Sequence, residues 1–341
     1  MAKKPVRINL ALQGGGAHGA FTWGVVDRLL QEEGIEIAGI TGTSAGALNG
    51  AALKAGLVEN GRDGARDNLN WLWSQVSGIG DMRLAHWMSA LFPSPGIVSH
   101  SIENSLQYSL ADAWTRMVSP YAYGPFYQNP LTRIVGSFRF HHVCADQGPA
   151  FFVSATNVRT GKIRVFSGDE INTDVILASA CLPTIFQAVS IDGEDYWDGG
   201  YTGNPALFPL FRPELPSDIV IVNINPLHRD ETPREARDIL NRINEISFNS
   251  SLLRELRAIH FVQRLIADGR MPEGVMKEAR IHIVADDDLM TELSVASKMV
   301  PTPATLSALF DAGQNAAEKF LSEHLATLGK RSSIDLPEMY G

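Results

Sequence analysis

Two β-prone runs near the N-terminus each end in glycine and each give way to a helical pattern, and few folds accommodate that order. Residues 6–12 read Val-Arg-Ile-Asn-Leu-Ala-Leu and run into Gly14-Gly15-Gly16. Residues 17–31 then carry Phe21, Val25 and Leu29 at helical spacing and close near Gly34. A second apolar run, 35–41, leads into Gly42-Thr43-Ser44-Ala45-Gly46. A small-residue helix over 45–55 follows and is expected to end near Gly56. Strand, glycine loop, helix, strand, tight turn and helix predict a mostly parallel sheet with helices packed on it.

The rest of the chain extends that plan. Further strands are expected at 151–157 and 162–166 about the turn Arg159-Thr160-Gly161, and at 189–191 and 196–197 about Asp192-Gly193. Two more are expected at 218–223 and 281–284, with helices over 172–181, 234–267 and 305–328. The helix over 234–267 is amphipathic. A single apolar stripe suits core packing, and a homodimer face is the alternative. Residues 59–145 differ in character. They hold Trp71, Trp73, Trp87 and Trp114 between breakers such as Pro93-Ser94-Pro95-Gly96 and Pro120 to Pro125. That composition predicts a helical insertion, serving either as cover for the sheet or as a lid and acyl-binding wall. The expected organisation is one α/β unit over 1–230 carrying this insertion, a helical extension over 231–330 packed on the same domain, and a mobile tail at 331–341.

Charge narrows the partners. The net charge of −9 argues against a nucleic-acid partner held through its phosphates. It also removes bulk attraction to anionic lipid, so any membrane-surface contact is expected to be local, apolar and transient. Cys144 and Cys181 form no CxxC or Cys/His cluster, so no metal and no cofactor are expected. Two reduced thiols are the simpler reading, and a disulfide between them stays open. The start Met-Ala-Lys-Lys-Pro is basic, but the run after it is broken by Arg7, Asn9 and Gln13, unlike a signal sequence. No stretch approaches the roughly 18 apolar residues of a membrane span. The cytoplasm is the expected location, with peripheral membrane association as the variant.

Three motifs carry chemistry. Gly14-Gly15-Gly16-Ala17-His18-Gly19 matches G-x-G-x-x-G at a strand-to-helix junction. Such a loop presents backbone N–H groups to an anion, whether a pyrophosphate or a tetrahedral oxyanion. A nucleotide site calls for an acidic residue at the end of the second strand. Here that strand runs instead into Gly42-Thr43-Ser44-Ala45-Gly46, a G-x-S-x-G turn opening a helix, which is the setting of a nucleophile elbow. Ser44 could equally be a helix N-cap. A serine nucleophile needs a base. His228 follows a strand, and His141 and His142 lie in the insertion, but Asp198 in Asp198-Gly199-Gly200 is the better candidate. A Rossmann-type oxidoreductase and a serine hydrolase with a histidine base remain the alternatives at this point.

In order and spacing, the glycine loop, the serine turn and Asp198-Gly199-Gly200 resemble the patatin-like phospholipase family. The segment Ala178-Ser179-Ala180-Cys181-Leu182-Pro183-Thr184-Ile185-Phe186 resembles that family's A-S-x-A-x-P-x-x-F stretch. The resemblance spans roughly residues 6 to 225. It implies a three-layer α/β fold and a lipid acyl hydrolase or esterase. Ser44 would be its nucleophile, Asp198 its base, and Gly14, Gly15 and Gly16 its oxyanion loop. His18, Gly19, Gly42, Gly46, Gly199 and Gly200 would complete the motifs. The substrate implied is a phospholipid, lysophospholipid or neutral ester. One departure is His18, where the family usually has Arg or Lys. A fractionally charged histidine there would make activity rise on protonation.

Overall fold

The computed structural model describes residues 4–78, 94–103, 105, 114, 117–272 and 274–340. Trp87 and Pro93 of the expected insertion lie outside the described residues. The strands are β1 (Val6–Leu12), β2 (Ile35–Gly42), β3 (Ala150–Asn157), β4 (Ile163–Ser167), β5 (Val189–Ile191), β6 (Glu194–Asp198), β7 (Asp218–Val222) and β8 (Arg280–Val284). They form one sheet in the order β5-β6-β3-β2-β1-β7-β8, with β4 paired to β3 off that path. The pairs β1–β2, β1–β7, β2–β3 and β7–β8 are parallel, whereas β3–β4, β3–β6 and β5–β6 are antiparallel.

The helices are α1 (Gly19–Leu30), α2 (Ala45–Ser77), α3 (Pro95–Glu103), α4 (Leu131–Val135), α5 (Phe140–Val143), α6 (Thr173–Ser179), α7 (Ala236–Ala267), α8 (Asp287–Glu292), α9 (Val295–Met299), α10 (Pro303–His324) and α11 (Leu336–Tyr340).

Strand alternation explains why helices cover both faces. Ile8, Leu10 and Leu12 of β1, Val220 and Val222 of β7, and Phe151 and Val153 of β3 join one apolar cluster. Ala11, Ile219, Ile221 and Phe152, at the intervening positions, join the other. A sheet that is apolar on both faces must be sandwiched, giving three layers. α1, α2 and α10 supply the first face, with Phe21, Leu53, Leu72 and Phe310 in its core. α7 covers the second with Leu252, Leu256 and Ile259, one helical stripe. The core-packing reading of this helix therefore holds for its C-terminal half. Its N-terminal half exposes Ile239, Leu240, Ile243 and Ile246.

Three expectations need correction. The helix after Ser44 runs a few residues past Gly56 to a break at Asn60 (φ −146°) and Gly61 (φ 61°), where a second helical limb begins and continues to Ser77. Gly56 lies where the two limbs cross, and a Cβ there would come 2.4 Å from Ala65 Cα. The second limb buries Ala65, Leu69, Leu72 and Trp73 in the main core, so residues 59–77 are framework rather than insertion. The tail is not a loose end either. Gly329 N–H donates to Asp218 Oδ1 at 2.8 Å, Ser333 N–H donates to the Ile281 carbonyl at 3.1 Å, and Leu336 is buried. Residues 331–340 are thus tied to the open edge of β8.

No described helix is long and apolar enough to cross a membrane. Both cysteines are free thiols. Cys144 Sγ donates to the Ile171 carbonyl and Cys181 Sγ to the Gln187 carbonyl, each at 3.0 Å.

Candidate active site

The sheet register brings the motifs together. Gly42 at the end of β2 pairs with Val153 of β3, and Asp198 at the end of β6 pairs with Ala155 of the same strand. Ser44 and Asp198 therefore emerge beside one another, although far apart in sequence. Between them, Thr43 Oγ1 and Ser154 Oγ lie 2.6 Å apart, and both hydroxyls bond the Gly203 carbonyl, at 2.7 and 3.1 Å. The glycine loop leaves the parallel neighbour β1 at the same carboxyl edge, where open α/β sheets bind ligands.

Ser44 has φ 54° and ψ −120°, a strained conformation for a residue with a side chain. Its carbonyl accepts the Ala47 and Leu48 amides and so opens α2. It holds the N-cap position, yet its hydroxyl makes no capping bond. A serine kept for capping would bond an amide of the first turn. Instead, Ser44 N–H donates to Ser179 Oγ at 2.9 Å, and Ser44 lines the cavity. The turn is this tight because of its glycines. A Cβ on Gly46 would lie 2.1 Å from the Leu12 carbonyl oxygen, and one on Gly42 would lie 2.4 Å from that of Gly46.

Asp198 is fully buried. Its Oδ1 accepts the Gly200 amide at 2.7 Å. Its Oδ2 is buried without a formed hydrogen bond. The Ser44 hydroxyl stands near enough to ease ionisation of the carboxyl, in a looser geometry than a formed bond. Catalytic contacts commonly tighten only once substrate arrives. Burial pushes the carboxyl up to about 7, outweighing the Gly200 amide and the Ser44 hydroxyl, which both pull it down. Gly199 and Gly200 leave room that side chains would fill: a Cβ would meet the Ser154 carbonyl oxygen at 2.2 Å and Phe248 at 2.4 Å, respectively.

The three loop glycines divide their roles. Gly14 N–H donates to Asn204 Oδ1 at 2.6 Å, so it is not available to an oxyanion, contrary to its expected place in that set. Among the described residues, the Gly15 and Gly16 amides have no protein acceptor, and both residues line the cavity that holds Ser44 and Asp198. Gly16 has φ 59°, and a Cβ there would meet the Lys298 carbonyl oxygen at 2.4 Å. Gly19 lets α1 approach the elbow, since its Cβ would come 2.7 Å from that of Ala45.

His18 is buried and shares a 2.8 Å hydrogen bond with Ser297 Oγ through Nε2. Burial and then the Lys298 charge hold it well below its ordinary pKa, so it is neutral at pH 7. This environment disfavours the charged form, against the expectation that His18 protonates in the working pH range. His228 lies away from the cavity that holds Ser44: its side chain is 80% exposed, facing Asp230 at 3.5 Å. The rings of His141 and His142 on α5 lie 4.1 Å apart, tilted by 54°, and His142 faces Glu59.

The cavity holds about 480 Å³ and is walled mainly by Leu48, Trp73, Leu131, Ile134, Phe186 and Phe248. Trp73, Leu131 and Ile134 come from the segment expected to form an acyl wall. Among the described residues, no group of three or more His, Cys, Asp or Glu could hold a metal ion.

Sequence reasoning missed the residues that hold the loop. Gln13 Oε1 accepts the Ile224 and Asn225 amides at 2.8 and 3.1 Å, and Asn225 Nδ2 donates to the Gly14 carbonyl at 2.9 Å. Asn204 and Asn225 each precede proline, a pattern that reads only as a turn. Lys298 has no signal at all in the sequence.

A mixed α/β sheet carrying a serine elbow and an oxyanion-type loop at one edge is the framework of an acyl hydrolase. The family model described as Patatin-like phospholipase matches residues 10–211, and the chain belongs to that family of lipid acyl hydrolases. The dinucleotide reading of the Gly14–Gly19 loop falls with this match: the Gly14 amide is taken by Asn204. Among solved structures, VipD from Legionella pneumophila is 15% identical, with 94% of this chain and 67% of that chain covered and a TM-score of 0.44. ExoU in its complex with SpcU, from the type III secretion system of Pseudomonas aeruginosa, is 16% identical, with 94% and 53% covered and a TM-score of 0.34. The chain thus spans about two thirds of the first and about half of the second. No curated protein sequence matches the chain.

Proposed function

We propose that this chain cleaves carboxylic esters of lipids through Ser44 and Asp198, by way of an acyl-enzyme. Ser44 Oγ attacks the ester carbonyl while Asp198 takes its proton. Asp198 returns that proton to the departing alcohol, draws a proton from water as the water attacks the acyl-enzyme, and passes it to Ser44 Oγ as the fatty acid leaves. The Gly15 and Gly16 amides receive the negative charge on the carbonyl oxygen. Losing one such donor costs about 3–4 kcal/mol of transition-state stabilisation.

The observation that carries this reading is the uncapped Ser44 hydroxyl, at φ 54°, beside a fully buried carboxyl raised to about 7. A base near neutrality is suited to proton transfer at physiological pH. The apolar cavity accounts for a lipid substrate, since its volume falls in the range of sites that enclose acyl chains and similar ligands. Entry from a lipid surface would pass α7, whose exposed Ile243 and Ile246 flank the cavity-lining Asn244 and Phe248.

The test is turnover of p-nitrophenyl esters of increasing chain length, beside a lysophospholipid. Ser44→Ala and Asp198→Asn are each expected to lose about 10³-fold or more in kcat, and His228→Ala little. Full activity in Asp198→Asn, with loss in His228→Ala, would replace the aspartate by a histidine base.

A further inference from the structure

Lys298 lies in α9, outside the residues matched by the family model, yet it lines the same cavity as Ser44. Among the described residues, it and Asp198 are the only charged groups that do so. α9 abuts the oxyanion loop, and a Cβ on Gly16 would lie 3.5 Å from Lys298 Cβ. The ammonium donates to Asn225 Oδ1 at 2.8 Å, and Asn225 in turn holds the Gly14 carbonyl. An ammonium has three donors. The other two have no protein partner among the described residues. No ion pair joins Lys298 to Asp198, so the cation is not spent on the base.

The surroundings keep this lysine charged at neutral pH. Its side chain is half-buried, with the ammonium enclosed, and burial lowers its pKa to about 8. Glu245 of α7 supports the charge, whereas Arg229 opposes it. Glu245 is already shared between Arg229 and Arg242, at 2.5 and 3.1 Å. The neighbouring His18 is neutral. A cation with spare donors, in a cavity walled mainly by apolar side chains, is costly to bury unless an anion completes it.

Resting on the hydrolase reading above, we propose that Lys298 is a specificity-determining residue that receives the phosphate of the substrate's head group. The ester then lies with its acyl chain along the apolar wall and its phosphate on the α9 side of the oxyanion loop.

Two measurements decide this. The first compares wild type, Lys298→Gln and Lys298→Arg on dihexanoylphosphatidylglycerol and on its uncharged counterpart, dihexanoylglycerol. Lys298→Gln is expected to lose about tenfold more kcat/KM on the phosphate-bearing ester than on the neutral one, chiefly through KM, with Lys298→Arg restoring most of it. Equal losses on both esters, or none, would overturn the assignment.

The second measures binding of the same two lipids to Ser44→Ala with and without Lys298→Gln. The preference for the phosphate-bearing lipid should vanish with the lysine, and inorganic phosphate should displace that lipid only weakly. If inorganic phosphate binds as tightly as the lipid, the group is a free-anion site and the head-group assignment is wrong. Failure of the hydrolase reading would show separately, as wild type inert to both esters, while the binding comparison still decides the role of Lys298.

Discussion

Gly14 donates its backbone N–H to the side-chain oxygen of Asn204 at 2.6 Å, whereas the Gly15 and Gly16 amides have no protein acceptor among the described residues. Asn204 Nδ2 returns a bond to the Gly14 carbonyl at 3.3 Å. Replacing Asn204 by alanine orphans a buried amide. The expected cost is about 1–3 kcal/mol of stability. Turnover should fall as the loop loosens, and thermal unfolding beside ester kinetics checks both.

The Asp198 carboxyl, raised to about 7 by burial, must be ionised to act as a base. The rate of cleavage of a neutral ester is therefore expected to rise with pH through about 7 and to level off above it. The profile of kcat/KM between pH 5 and 9 measures this.

The same shift bears on stability. A carboxyl whose folded pKa exceeds its unfolded value of 3.8 adds stability below about 3.8, and that contribution is lost as pH rises through about 7. At pH 8 the wild-type protein carries an ionised, buried carboxylate. Asp198→Asn does not titrate, so it should melt higher than wild type at pH 8, with the gap closing towards pH 4. A variant inactive yet more stable at pH 8 is the expected signature of a strained functional group.

His18 is held neutral by burial and by Lys298, and its partner is Ser297. His18→Gln should leave the midpoint of the pH–rate profile where it is. A midpoint that moves would show that His18 titrates in the active range.

Truncation after Lys330 removes the Ser333 bond to the Ile281 carbonyl and the buried Leu336. Burial of a leucine side chain is worth about 1.5–3 kcal/mol. A loss of that order in chemical denaturation is expected.

Much of this arrangement was legible in the sequence. β1, β2 and the β3–β4 hairpin follow from local alternation and turn residues, and the Ser44 elbow follows from the glycines that flank it. The extent of α2 was not legible, because Gly56 reads as a helix end and serves instead as a crossing point. The docked tail was not legible either, because its anchor, the Ile281 carbonyl, belongs to an edge strand distant in sequence. Within the site, motifs pointed to Ser44 and Asp198, which the fold places at one cavity. They could not separate Gly14 from Gly15 and Gly16, because that division depends on Asn204, which the fold brings up from far along the chain. Lys298 reaches the cavity only because α9 packs on the Gly14–Gly16 loop.

With Ser44 as nucleophile and Asp198 as its base, a fluorophosphonate probe followed by peptide mapping should give a single adduct on Ser44, absent in Ser44→Ala and formed far more slowly in Asp198→Asn. An adduct on another serine, or active enzyme that takes no label at Ser44, would contradict this assignment.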